Sequence, residues 1–194
     1  RVPSAGGTSV KLNGLLAGRL GVQGDFNISV DGSRVIYRAS QDVENAIELY
    51  SVPLTGGTVV KLNGPLATGV YASFPGIPSD SARGVFEGRR DADTRRNLYT
   101  VPVEGGEVTR LNGAMTTDRS YSFGARVSAD SSRVVFQAEQ SPGVSELFVV
   151  PIAGGSPLKL NPTLTSGGDV RQHRSEERRV GNGGGWGGGG GGGG

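Results

Sequence analysis

Short apolar runs, each followed by a glycine-containing turn, recur along this chain at a nearly constant spacing. The run from Glu48 to Gly64, ELYSVPLTGGTVVKLNG, returns at Asn97 to Gly113 and at Glu146 to Pro162, and a shortened copy opens the chain at Arg1 to Gly14. The Gly-Gly pairs in these copies are 50, 49 and 49 residues apart. A period held this closely predicts an array of repeated structural units.

A second repeating block lies between the Gly-Gly copies. It reads NISVDGSRVIYRAS at Asn27 to Ser40 and recurs at Gly76 to Gly88 and at Arg126 to Ala138. Asp-Gly or Asp-Ser followed by Val-Ile-Tyr, Gly-Val-Phe or Val-Val-Phe indicates a turn and then a strand. Each period therefore contains two hairpins. In the first unit the strands are predicted near Phe26 to Val30, Arg34 to Arg38, Ile47 to Pro53 and Thr58 to Leu62.

Four strands in each period of about 40 to 50 residues are typical of β-propeller blades. A solenoid of helical repeats is excluded because the apolar positions show almost no helical period. We therefore predict an all-β fold: an incomplete β-propeller of about three four-stranded antiparallel blades plus a partial blade, with a disordered C-terminal tail. The predicted units are the end of a truncated blade at 1–14, blades at 24–63, 71–112 and 121–161, the lead-in to a missing blade at 162–173, and a non-native or disordered tail at 174–194.

The composition changes abruptly at Arg174. The segment RSEERRVGN is followed by glycines broken only by Trp186, and 12 of the 35 glycines of the chain lie after Arg174. RSEERRVG matches an in-frame translation of a sequencing adapter, and a run of G bases encodes polyglycine. We expect residues from about Arg174 onward to be non-biological and the chain to be a piece of a longer repeat protein. The alternative is a solvated charged segment with a flexible glycine tail.

Charge and residue usage exclude several classes of site. Of the 20 Lys+Arg and 18 Asp+Glu residues, 17 and 16 precede Arg174, so composition gives no support for nucleic acid or an anionic membrane as partner. The absence of cysteine excludes thiolate metal sites, a thiol nucleophile and disulfides. The only histidine, His173, borders the tail, so a Ser-His-Asp site cannot be assembled. We predict no catalytic, cofactor-binding or metal-binding residues.

The residues that recur at the repeat period have a structural and a functional interpretation. Asp31, Asp80 and Asp130 would converge as metal ligands in a closed ring, but we favour the interpretation that each accepts backbone hydrogen bonds in its own turn. The Gly-Gly pairs are predicted to turn hairpins, because glycine adopts positive φ without a Cβ penalty. Structural repeat turns are therefore assigned to Asp31, Asp80, Asp130, Gly56, Gly57, Gly105, Gly106, Gly154 and Gly155.

Charged and aromatic clusters allow further sites that we rank below a structural role. Acidic pairs in two strand connections have part of a calcium-loop pattern, although a solvated loop is favoured. Four arginines in one connection could form an anion site, although self-neutralising surface charge is favoured. Repeating aromatic residues are expected to pack between blades rather than to stack on a ligand. These groups are Asp42 with Glu44, Asp91 with Asp93, Arg89 with Arg90, Arg95 and Arg96, and the aromatic residues Tyr37, Phe86, Phe136, Tyr50, Tyr99 and Phe148.

The repeated motifs resemble those of a known family. SVDGSRVIY at Ser29 to Tyr37, followed by ELYSVPLTGGTVVKLN at Glu48 to Asn63, resembles the WD-like propeller repeat of TolB-type bacterial proteins, and the likeness covers residues 1 to 170. The chain departs from the family pattern where proline and glycine are usual. The departures are Val30 and Ala129 in place of proline, and Ser81 and Ser131 in place of glycine.

The resemblance implies a function that fold alone does not settle. It implies closed rings of about six to eight blades in extracytoplasmic scaffold, receptor-like and peptidase-associated proteins. We therefore expect a non-catalytic scaffold in the periplasm or outside the cell, without membrane insertion. Its expected partners are a protein or cell-envelope component and the remaining blades of the parent chain. Because ring closure is missing, residues 1 to 170 alone are expected to aggregate or stay partly open.

Two alternatives from other classes remain open. One is an accessory propeller of a prolyl-oligopeptidase-like serine peptidase, which a downstream G-x-S-x-G with later Asp and His would decide. The other is a propeller lyase resembling oligogalacturonate lyase. That enzyme would need metal-binding histidines, which the blades before His173 do not contain.

Overall fold

The computed structural model describes residues 6, 8–17, 21–44, 46–65, 73–76, 82–90, 96–113, 122–141, 143–164 and 170. Within these ranges the chain forms three antiparallel sheets, and each sheet contains four strands in the order of the chain. The predicted tail at 174–194 and most of the predicted lead-in at 162–173 lie outside the described residues.

The first sheet contains β1 (Asn27–Ile28), β2 (Arg34–Ala39), β3 (Glu48–Pro53) and β4 (Val60–Lys61). The second contains β5 (Ser73–Gly76), β6 (Arg83–Gly88), β7 (Asn97–Pro102) and β8 (Thr109–Arg110). The third contains β9 (Ser122–Val127), β10 (Arg133–Ser141), β11 (Val144–Pro151) and β12 (Leu158–Lys159). This arrangement confirms the predicted all-β fold of three four-stranded propeller blades, while the blade boundaries stay predictions.

Each sheet has two faces, because successive side chains of a strand point in opposite directions. In the first sheet Tyr37 and Tyr50 share one face, which we call the leading face. Ile36, Leu49 and Leu62 lie on the opposite face, which we call the trailing face. The same names apply to the corresponding positions of the second and third sheets.

The sheets stack with the trailing face of one on the leading face of the next. Ile36, Leu49 and Leu62 of the first sheet are buried against Phe86 and Tyr99 of the second. The second interface repeats this pattern and buries Val85, Leu98 and Leu111 against Phe136, Phe148 and Val150. The predicted core position of the repeating aromatic residues is therefore observed in both interfaces.

The aromatic residues of a leading face also stack on each other across the central pair of strands. The ring centroids are 5.7 Å apart for Tyr37 and Tyr50 and 5.2 Å apart for Phe86 and Tyr99. For Phe136 and Phe148 the separation is again 5.7 Å. Such pairs add to the stability that their burial gives, so each leading face presents an ordered aromatic platform to its neighbour.

The Gly-Gly turns join β3 to β4 and their counterparts, and every glycine in them has positive φ. The φ angles are 87° at Gly56, 94° at Gly105 and 107° at Gly154. The first glycine also lies close to the preceding sheet, because a Cβ built at Gly105 would be 2.7 Å from Val60 Cγ1. The corresponding distance is 2.8 Å at Gly154, to Thr109 Cγ2, and 3.8 Å at Gly56, to Val10 Cγ1. The turn thus serves sheet stacking as well as the hairpin.

Among the residues that the structure describes, no helix is long and apolar enough to cross a membrane. The described part of the chain also contains no group of three or more His, Asp or Glu side chains placed to hold a metal ion.

Candidate functional site

The repeated aspartates engage groups of their own turns. Asp31 Oδ1 accepts hydrogen bonds from the Ser33 amide at 3.0 Å and the Ser33 hydroxyl at 2.9 Å. Hydrogen bonds from the side chain of Ser29 and the backbone of Ser33 lower the pKa of Asp31. These contacts support, at Asp31, the interpretation as a structural turn.

The third sheet repeats this turn. Asp130 Oδ1 accepts the Ser132 amide at 3.1 Å, and the Ser128 hydroxyl donates to the same carboxylate. Chiefly because of Ser128, the pKa of Asp130 is lowered to about 2. Asp80 lies outside the described residues, so the assignment of that turn stays a prediction.

An asparagine at the end of each repeat ties the outermost strand to its neighbour, and the sequence interpretation missed it. Asn63 Oδ1 accepts the Leu49 amide at 2.6 Å, and Asn63 Nδ2 donates to the Gly64 carbonyl at 2.7 Å. Asn112 and Asn161 accept the amides of Leu98 and Leu147 in the same way, at 3.2 and 2.7 Å. The available signal was the Leu-Asn pair that closes every copy of the repeat.

A lysine two residues before this asparagine pairs with a buried glutamate. Lys61 forms an ion pair with Glu48 and lies 3.3 Å from Asp42. The Tyr50 hydroxyl donates to Glu48 Oε2 at 2.9 Å, and burial together with Glu48 raises the pKa of Tyr50. The third sheet repeats the pair, with Lys159 Nζ 2.9 Å from Glu146 Oε1. Asp42 therefore faces a lysine rather than a second carboxylate, and Glu44 is exposed.

Of the arginines predicted to cluster in the second sheet, the structure describes Arg89, Arg90 and Arg96. Arg90 is half-buried and donates to the Val108 carbonyl at 3.3 Å, whereas Arg89 is exposed. Arg96 lies 3.9 Å from the buried Glu87, and burial raises the pKa of that carboxyl. Asp91, Asp93 and Arg95 lie outside the described residues, so the loop sites proposed for them stay untested.

The leading face of the first sheet carries an apolar cleft of about 400 Å³, which we call the leading cleft. Phe26 and Ile28 in its wall are 60% and 52% exposed, and Val10 and Val22 are also exposed. On the third sheet the residues that correspond to Phe26 and Ile28 are Ala125, which is buried, and Val127, which packs against the core. The leading cleft is thus an apolar surface of a kind that is covered on the third sheet.

The segment at residues 8–17 forms one wall of the leading cleft. Leu12 packs on the aromatic platform of Tyr37 and Tyr50. At the end of the segment, Gln41 Oε1 accepts the Gly14 amide at 3.0 Å and the Tyr37 hydroxyl at 2.6 Å. Ala17 N donates to the Ser40 carbonyl at 3.1 Å. These contacts hold the segment against the first sheet and leave the side chains of Phe26 and Ile28 in the leading cleft exposed.

Comparison with solved structures finds this fold in other proteins. The chain is similar to a TolB protein of Agrobacterium tumefaciens, with a TM-score of 0.54 and 20% identity over 73% of this chain and 47% of that chain. It is also similar to TolB from Acinetobacter baumannii, with a TM-score of 0.51 and 21% identity over 74% of this chain and 33% of that chain. No protein-family model and no curated protein matches the chain.

A prolyl endopeptidase shows the same likeness, with a TM-score of 0.53 and 14% identity over 72% of this chain and 22% of that chain. The chain spans less than half the length of each of these three solved chains. At these identities the likeness is one of fold. The three stacked sheets are therefore blades of a TolB-like β-propeller.

Proposed function

We propose that the chain is a non-catalytic propeller scaffold that binds a protein or a cell-envelope component in the periplasm or outside the cell. The observation that carries the proposal is the leading cleft, where Val10, Val22, Phe26 and Ile28 expose apolar side chains around one opening. Contiguous exposed apolar surface of this kind marks interaction sites. The resemblance to TolB-type repeats and the likeness to solved TolB structures support the extracytoplasmic location.

The polar residues that contact Tyr37 and Tyr50 on the leading face of the first sheet favour binding over chemistry. Glu48 is held between Lys61 and the Tyr50 hydroxyl, and Gln41 is held between Gly14 and Tyr37. These side chains use their polar atoms to fix the segment and the strands. In this part of the structure we find no serine or threonine hydroxyl placed beside a base that would activate it.

The proposal is tested with a photoreactive amino acid at Phe26 in the parent protein, expressed in its own cells. Phe26 lies in the wall of the leading cleft, and the control is the same amino acid at Val43, which is exposed in the connection between β2 and β3. A discrete adduct with another protein at position 26, but not at position 43, supports the proposal. No adduct at position 26, or equal adducts at both positions, overturns it.

An accessory propeller of a prolyl-oligopeptidase-like serine peptidase is the second candidate. The likeness of the chain to a prolyl endopeptidase, which extends over 22% of that protein, is the observation that favours it. The complete open reading frame tests this candidate. A downstream G-x-S-x-G followed by Asp and His would establish the peptidase, and a reading frame without them would exclude it.

A further inference from the structure

The Leu-Asn pair that closes every copy of the repeat is followed by a residue that decides its chemistry. Three copies have glycine after the asparagine, and the fourth has proline; they are Asn13-Gly14, Asn63-Gly64, Asn112-Gly113 and Asn161-Pro162. In an Asn-Gly pair the glycine nitrogen can attack the side-chain carbonyl carbon of the asparagine, because glycine carries no side chain to obstruct a close approach. A proline nitrogen has no hydrogen and cannot act in this way.

We propose that Asn63-Gly64 is a self-modifying site, at which the fold promotes the conversion of Asn63 to aspartate and isoaspartate. The Gly64 nitrogen gives its proton to hydroxide and forms a bond to Asn63 Cγ. The bond between Cγ and Nδ2 then breaks, and ammonia leaves with a proton taken from water, which regenerates hydroxide. Water opens the resulting cyclic imide at either carbonyl carbon, so residue 63 becomes aspartate or isoaspartate.

The side chain of Asn63 is folded back over Gly64. Its Nδ2 donates to the Gly64 carbonyl at 2.7 Å. This hydrogen bond closes a small ring that contains both Asn63 Cγ and the Gly64 nitrogen, so the two reacting atoms are held near each other, and such positioning raises the rate of an intramolecular reaction. Gly64 is half-buried, and among the described residues its amide has no acceptor, so the proton is available to hydroxide.

The carbonyl oxygen of the Asn63 side chain has a donor in place. The Leu49 amide donates to Asn63 Oδ1 at 2.6 Å, and Asn63 is 0% exposed. Attack on Cγ places negative charge on Oδ1. An N–H group that already points at this oxygen stabilises that charge without reorganisation.

A cation lies over the attacking residue. A Cβ built on Gly64 would be 3.4 Å from Arg90 Nε and 3.5 Å from Arg90 Nη2. A positive charge within a few ångströms favours the deprotonated, negatively charged form of the Gly64 nitrogen. Because Arg90 follows β6 of the second sheet, the stacking of the two sheets completes the site.

The corresponding pair of the second sheet has a different geometry. Asn112 Nδ2 donates to Asn97 Oδ1 at 3.0 Å, so this amide group is held toward Asn97 instead of over Gly113. A Cβ built on Gly113 would meet Pro157 at 3.5 Å, where Gly64 meets the arginine. Asn112 therefore lacks both the folded-back side chain and the cation.

The two remaining copies fold back as Asn63 does, but their following nitrogen is blocked. Asn13 Nδ2 donates to the Gly14 carbonyl at 2.8 Å, while the Gly14 amide donates to Gln41 Oε1 at 3.0 Å and so retains the proton that must leave. Asn161 Nδ2 donates to the Pro162 carbonyl at 2.8 Å, and proline offers no N–H. Both asparagines are therefore expected to react more slowly than Asn63.

Modification would change the contact between the first and second sheets. Isoaspartate adds a carbon to the backbone between residues 63 and 64, which moves the side-chain oxygen away from the Leu49 amide. Leu62, the preceding residue, is 1% exposed and packs in the core between these sheets. The reaction would thus loosen β4 and the interface that it covers.

The first test compares the copies within one molecule. The full chain is incubated in warm, mildly alkaline buffer, and loss of ammonia and formation of isoaspartate at each asparagine are followed by peptide mass spectrometry. In the folded chain Asn63 should react on the order of tenfold faster than Asn112, because its side chain is positioned for attack, and Asn161 should lose no ammonia. In urea, which removes the fold, Asn63 and Asn112 should react at similar rates. A folded chain in which Asn63 reacts no faster than Asn112, or a difference that persists unchanged in urea, overturns the inference.

The second test removes the cation. Arg90→Gln should slow the modification of Asn63 about tenfold, since a charge beside the attacking nitrogen is lost, and Arg90→Lys should restore most of the rate. The control is Arg89→Gln, the same change at an exposed neighbouring residue, which should leave the rate unchanged. An equal rate in Arg90→Gln and the wild type, or equal slowing by Arg89→Gln, overturns the inference. Circular dichroism shows whether each variant is folded, and the comparison of Asn63 with Asn112 in the wild-type chain decides the matter if a variant is not.

Discussion

Replacing Gly105 with alanine tests whether the Gly-Gly turns are required by the hairpin alone or also by the stacking of the sheets. Gly105 has a φ of 94°, and a Cβ there would lie 2.7 Å from Val60 Cγ1 on the trailing face of the first sheet. Gly56 has a similar φ of 87°, but its added Cβ would make an ordinary contact with Val10 at 3.8 Å. Both substitutions therefore introduce backbone strain, but only Gly105→Ala also introduces a steric overlap with Val60.

The expected losses of stability follow from the backbone strain and the steric overlap. A non-glycine residue held at such a φ costs on the order of 1–3 kcal/mol, and this cost applies to both Gly105→Ala and Gly56→Ala. Overpacking of a filled interface adds about 1–3 kcal/mol, and this cost applies to Gly105→Ala. The difference between the two variants is therefore expected to be about 1–3 kcal/mol, with Gly105→Ala the less stable.

The assay is urea unfolding of the full chain followed by far-ultraviolet circular dichroism, which reports the sheets. The double variant with Val60→Ala removes the methyl group that the new Cβ would meet, so it should recover most of the difference. Equal losses of stability in Gly105→Ala and Gly56→Ala would refute the reasoning. An unchanged loss of stability on Gly105→Ala in the Val60→Ala background would also refute the reasoning.

Three further changes test individual polar side chains. Asn63→Ala removes the acceptor of the buried Leu49 amide and should cost about 1–3 kcal/mol, measured as a lower urea midpoint; an unchanged midpoint would contradict the role of Asn63. Hydrogen bonds lower the pKa of Asp130 to about 2 in the folded chain, so the unfolded chain binds more protons and stability should fall as the pH drops from about 4 to 2. Asp130→Asn should lose less stability over that range, and an identical pH profile would contradict this. Burial raises the pKa of Glu87, so its contribution is present at low pH and is lost as the pH rises above the ordinary glutamate range. Glu87→Gln should flatten that decline in a urea titration repeated at several pH values, and a decline as steep as that of the wild type would count against it.

The features that could be predicted from the sequence are those that depend on local periodicity, namely the strands and their two faces. The alternation in RVIYRA places Tyr37 on one face of β2 and Ile36 on the other, and the structure confirms the four-stranded sheets that this pattern indicates. The hydrogen bonds that Asp31 makes with Ser29 and Ser33 are local in the same sense, since each partner is two positions away in the sequence. Information of this kind is contained in a few consecutive residues.

The contacts that the sequence interpretation missed join residues that only the fold brings together. Asn63 meets the Leu49 amide 14 positions earlier, and Gly105 meets Val60 across an interface between two sheets. A repeat shows that such residues recur without showing what each one touches. The leading cleft is a further example. Whether its apolar side chains are exposed depends on what the fold packs against Phe26 and Ile28 and not on the identity of these two residues.

The opposite faces of each sheet give the array a direction, and this direction sets how local stability varies along it. The second sheet is coupled to a neighbour through both of its faces, whereas Leu160 on the trailing face of the third sheet is 47% exposed and its counterpart Leu62 is 1% exposed. In a linear array stability is close to a sum of unit and nearest-neighbour terms. Among the described strands, amide hydrogen exchange should therefore be slower in β6 and β7 of the second sheet than in β10 and β11 of the third.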